Sequence, residues 1–128
     1  MTLPITSLFA ALFAIALVAL SFPVSLRRIK VGDLVGDSAD ETLRRRIRAQ
    51  GNFIEYAPLG LIGLGLVEAH AAPAWLVAAI GGALTAGRLL HAIGMLRASA
   101  PLRGLGMLFT YLALLTAAAR LLAGVVLG

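Results

Sequence analysis

Long apolar runs and short polar interruptions divide the chain into four. Crossing a bilayer takes roughly 20 mostly apolar residues in helical conformation. Stretches of that kind lie at about 3–26, 48–69, 74–96 and 104–127. The pattern predicts an all-α integral membrane protein, a single domain over 1–128 built as a bundle of four transmembrane helices. The first stretch is expected to be a retained helix and not a cleaved leader. No Lys or Arg precedes it, and no small-x-small cleavage site follows it.

The interruptions carry their own signals. Segment 27–47 is polar and holds the turn pairs Gly32-Asp33 and Gly36-Asp37. Ser38-Ala39-Asp40-Glu41 then has capping-box spacing, with Ser38 at the N-cap and Glu41 at N3. That predicts a helix starting near Ala39 and running unbroken into the second span. His70-Ala71-Ala72-Pro73 reads as a very short turn, with Pro73 in the first turn of the third helix, where a missing N–H does no harm. Residues 97–103 form the last connection, carrying Arg97 and Arg103 and broken by Pro101. Two stripes of small residues, Ala79-Ala83-Gly87 and Ala78-Gly82-Ala86, offer faces for close helix contact in lipid.

Composition agrees with the pattern. Hydrophobic residues make up 60% of the chain and charged residues 13%, about half the charge of a soluble domain. There is no cysteine, so disulfides and thiol nucleophiles of the chain itself are excluded. The net charge of +5 could suggest nucleic acid, but its placement argues against that partner. Seven of the eleven basic residues (Arg27, Arg28, Lys30, Arg44, Arg45, Arg46, Arg48) fall between the first two spans. By the positive-inside rule, loop 27–47 is cytoplasmic and faces anionic membrane lipid, and both termini lie outside, on the periplasmic side. Trp75 suits an interfacial belt, and Arg120 near the outer end of the fourth span can snorkel to the headgroups.

Charges and amides inside the spans are the candidates for chemistry, because an uncompensated charge at mid-membrane costs at least about 2.5 kcal/mol. Arg48, Asn52 and Glu55 share one face of the second helix, with Glu55 roughly 10 Å inside the boundary at 1.5 Å per residue. Arg88 and His91, returning on the third helix, reach a matching depth. Such a set can hold a small zwitterionic or anionic ligand approached from the cytoplasm: arginine forks onto carboxylates, and a glutamate holds an ammonium. Each member also has a plainer reading. Glu55 and Arg88 could form a structural ion pair, His91 an interhelical hydrogen bond, and Arg48 a lipid phosphate contact. Glu68 and His70 are expected to face water at the outer interface, and Thr110 and Tyr111 to serve packing and interhelical hydrogen bonds. Two distant histidines and one buried carboxylate do not make a metal site.

The segments R-A-Q-G-N-F-I-E-Y-A-P (48–58), G-R-L-L-H (87–91) and A-P-L-R (100–103) together resemble the MAPEG family, the membrane-associated proteins in eicosanoid and glutathione metabolism. The resemblance runs from about Gly32 onward and suggests a small bacterial member in the inner (cell) membrane. It implies a homotrimer with glutathione as co-substrate between neighbouring subunits. Arg48, Asn52, Glu55, Arg88 and His91 match the family's glutathione-binding positions. Arg103 matches an arginine linked to thiolate stabilisation. The implied activity is that of a glutathione-dependent transferase or peroxidase acting on a lipophilic small-molecule substrate. Met95, Gly104 and Gln50 depart from a tyrosine, a serine and a frequent histidine of relatives, and Tyr111 is out of register with a fourth-helix tyrosine. Prostaglandin synthesis is therefore not implied. Two other readings stay open: a non-enzymatic glutathione- or lipid-binding membrane protein, and a small exporter using an intramembrane acid.

Overall fold

A computed structural model describes residues 2–128, and among them the chain forms four helices and no sheet. They are α1 (Pro4–Val31), α2 (Glu41–Ala69), α3 (Ala74–Leu96) and α4 (Ala100–Leu127), each running antiparallel to the next. By length and apolarity α1, α3 and α4 each suffice to cross a membrane. α2 is long enough but carries most of its polar residues in its first half.

The helix ends correct three expectations. α2 starts at Glu41, and its N-cap is Asp40, whose carboxylate accepts from the Leu43 N–H at 2.8 Å. Ser38 instead accepts from the Asp40 N–H at 3.0 Å and donates to Asp33, so it braces the cap residue from outside the helix. Pro101 does not break the last connection. It stands in the first turn of α4, where the N-cap Ser99 sets the start, so the helix begins four residues before the span. Glu68 does not face water. Its two oxygens accept from the Ile5 and Thr6 N–H groups at 3.0 and 2.7 Å, satisfying the open first turn of α1. α1 continues past the expected span of 3–26 to Val31, and the turn residue Gly32 caps it with φ of 82°, a left-handed conformation that glycine adopts without a Cβ clash.

A buried cluster of Phe13, Phe53, Leu64, Val77, Ile80 and Leu84 ties the bundle together. Outside it the surface is apolar: Ile15, Val18, Leu59, Ile62 and Leu115 are each at least 60% exposed. An exposed belt of that size on long helices belongs in lipid or against another membrane subunit. α3 and α4 pack most extensively, whereas α1 barely touches α3. Neither small-residue stripe as a whole makes the α3–α4 seam, since Ala78, Ala79 and Gly82 remain exposed. Gly87 faces Gly106 and Thr110, and Gly94 faces Arg103. A Cβ on Gly106 would lie 2.5 Å from the His91 nitrogen and 2.7 Å from the Gly87 carbonyl oxygen, so the two backbones touch there.

Candidate functional site

That glycine contact fixes the site. It sets α4 against α3 at the level of Arg88 and His91, both buried, and it brings Thr110 under the Arg88 guanidinium. Arg88 Nε and Nη2 donate to Thr110 Oγ1 at 3.2 and 2.8 Å, and Thr110 passes its own proton to the Gly106 carbonyl at 2.8 Å. From the other side, Arg88 Nη1 donates to the Asn52 side-chain oxygen and, at 3.2 Å, to the Asn52 carbonyl. Arg88 thus joins three helices in one network, with Asn52 also buried. The guanidinium carbon lies 5.2 Å from the Tyr56 ring centre, a cation–π contact. The Tyr56 and Tyr111 hydroxyls lie 3.5 Å apart.

The acid and the second arginine stand differently. Arg48 and Glu55 are 60% and 52% exposed, and their charged ends come no closer than 4.0 Å. Glu55 is within electrostatic reach of Arg88. It makes no ion pair with it among the described residues, so the plainer alternative of a structural Glu55–Arg88 pair is not what holds Arg88. Asn52 and Thr110 hold it instead. His91 has no side-chain hydrogen bond among the described residues, contrary to an interhelical tie; Arg88, Arg103 and Arg48 all act on it electrostatically. Arg103 sits in the first turn of α4, exposed, with Nη1 3.8 Å from the Met95 sulfur.

All six positions therefore gather at one end of the bundle, formed by the first half of α2, the second half of α3 and the start of α4. Two residues join the set as partners of Arg88. Tyr56 carries a signal that could have found it, since Arg48, Asn52 and Tyr56 follow each other at four-residue spacing. Thr110 makes the interhelical hydrogen bond expected of it, but nothing in its local sequence reveals that Arg88 is the donor.

Between α1 and α2, segment 27–47 is closed by a second arginine fork. Arg27 Nε and Nη2 donate to the two Asp40 oxygens at 3.0 and 2.8 Å. The Arg27 guanidinium, helped by the Leu43 N–H, lowers the Asp40 carboxyl to about 2, and Asp40 in turn raises Arg27.

The fold and the polar set define a four-helix integral membrane protein with most of its ionic residues gathered at one end of the bundle. The chain belongs to the MAPEG family, whose model matches residues 6–123. It is 34% identical over 111 residues to the inner membrane protein YecN of Escherichia coli strain K12, covering 87% of this chain and 85% of that one. The match to inner membrane protein YecN of Escherichia coli O6:H1 has the same identity and coverage. No solved structure matches the chain significantly.

Proposed function

We propose that this protein binds glutathione at the cytoplasmic end of α2 and uses its thiol on lipophilic electrophiles or hydroperoxides. The observation that carries the reading is the unequal satisfaction of the polar set. Arg88 is saturated inside one chain, while Arg48 and Glu55 present an open cation and an open anion on the adjoining surface. A peptide with two carboxylates and one ammonium complements that pair: Arg48 takes a carboxylate, and Glu55 takes the ammonium. Asn52 and Arg88 hold the floor rigid beneath it. The exposed apolar side chains Ile54, Leu59 and Ile62 of α2 suit burial against a second copy, so a homotrimer would complete the wall.

Bound glutathione supplies a thiol whose anionic form attacks the electrophile or reduces the peroxide. Arg103, exposed at the α4 start, and Arg88 add positive charge on the side where that thiolate needs it. His91 lies within the same field. The lipophilic partner arrives from the bilayer, which meets the site without passing through water.

Both termini lie outside in this reading. The test is thermal unfolding of detergent-purified protein with and without glutathione, together with conjugation of a model electrophile. Stabilisation is expected for the wild type and its loss in Glu55→Ala. A wild type that gains no stability and conjugates nothing would remove the proposal. A second reading, binding without turnover, is favoured by Met95 and Gly104, which leave no hydroxyl beside Arg103 to share in thiol activation. Stabilisation with no activity on any electrophile or peroxide is its signature.

A further inference from the structure

Because α1 barely meets α3, a groove runs along that flank with α2 as its floor. Its membrane-embedded section holds about 420 Å³ and is lined by apolar side chains, among them Leu12, Phe13, Phe53 and Leu89. Arg88 reaches this floor too, its guanidinium already engaged by Asn52 and Thr110. The section nearer loop 27–47 holds about 330 Å³ and is lined by Pro23, Thr42, Arg45 and Arg46. Ala19 and Leu20 line both, so the sections are consecutive parts of one groove. From Leu12 to Pro23 the helix rises roughly 17 Å, enough to follow much of an acyl chain.

The groove changes chemistry along its length. Small side chains at Ala16 and Ala19 leave room between larger neighbours in the apolar part. At Pro23 the missing N–H leaves the Ala19 carbonyl without its helical donor. Arg46 Nη1 donates to the Pro23 carbonyl at 3.2 Å, which anchors one guanidinium at the groove's polar end. Arg45 stands beside it with an exposed pairing to Glu41, and Thr42 lines the same end. The mouth thus holds two cations, one of them balanced, at the depth where lipid phosphates sit. Arg48 and Glu55 line neither section, so the groove is distinct from the proposed glutathione surface.

We propose that this groove seats one acyl chain of an anionic glycerophospholipid, with its phosphate at Arg46, Arg45 and Thr42. The acids near the mouth, Glu41 and Asp40, are held by Arg45 and Arg27, so no free anion is left there to greet the cation of a zwitterionic headgroup. The test is native mass spectrometry of the full chain in mild detergent, with phosphatidylglycerol or phosphatidylcholine of equal chain length added. One phosphatidylglycerol per chain is expected, at least about fivefold preferred. Arg46→Gln should remove the preference, and Lys30→Gln, the same charge change outside the groove, should keep it. Ala19→Phe fills the groove without altering charge and should abolish retention; Leu89→Trp serves if that variant does not fold. Equal retention of both lipids overturns the proposal. So does equal sensitivity to Lys30→Gln, which means diffuse surface attraction, and so does full retention in the filled-groove variant. A change of oligomeric state on filling the groove would make it a subunit contact and overturn the proposal as well.

Discussion

Two arginines in this protein sit one helix apart and obey opposite rules. Arg88 is 4% exposed, and acceptors from α2 and α4 receive all three of its guanidinium nitrogens. Arg48 is 60% exposed, with its nearest acid 4.0 Å away. Burying a cation in a bundle demands that its donors be met within the protein, or the ion is not tolerated. Arg88 is therefore architecture first, and a ligand finds it already committed. Arg48 and Glu55 have no such commitment, which leaves their charges for something that arrives.

The difference can be attacked from its foundation upward. Gly106→Leu is expected to do most damage, about 3 kcal/mol or more, because the added side chain meets His91 and Gly87 backbone that cannot move aside. Loss of the folded species in detergent, read by size exclusion and thermal melting, checks it. Thr110→Val comes next. It keeps the volume but removes the acceptor for two Arg88 nitrogens, at a cost of about 1–3 kcal/mol. A melting temperature equal to wild type would show that Arg88 needs only Asn52.

Glu55→Ala should leave stability within about 1 kcal/mol, as for other exposed, loosely paired charges. It should nevertheless erase stabilisation by glutathione, and Arg48→Ala should behave alike. If either variant lowered intrinsic stability as much as Thr110→Val, the contrast between the two arginines would collapse.

The smallest effect belongs to the Arg27–Asp40 fork outside the membrane. The Asp40 carboxyl is lowered from an ordinary 3.8 to about 2. Its contribution is thus present above the ordinary value and fades as pH falls from there to about 2. An acid titration of thermal stability should show a component in that window that Asp40→Asn lacks.

Much of this was legible in the residues. Apolar length set four helices, and the spacing of Arg48, Asn52 and Glu55, or of Arg88 and His91, put each group on one face. Local chemistry was less legible. Ser38 has the right spacing for a capping box, yet Asp40, two residues on, takes the cap because its oxygens also meet Arg27. Glu68 looked like a water-facing acid because its partners, the Ile5 and Thr6 amides, lie more than sixty residues away.

Sequence by itself determined the number of helices, their residence in lipid and the depth at which polar groups occur. These follow from hydrophobic length and helical rise, which are properties of each segment alone. Only the tertiary structure decided that Arg88 answers to Asn52 and Thr110 and not to Glu55, and that a groove opens between α1 and α3. Both depend on how far each helix is turned and slid against its neighbours. That register is set where backbones touch at Gly87 and Gly106, and no single segment encodes it.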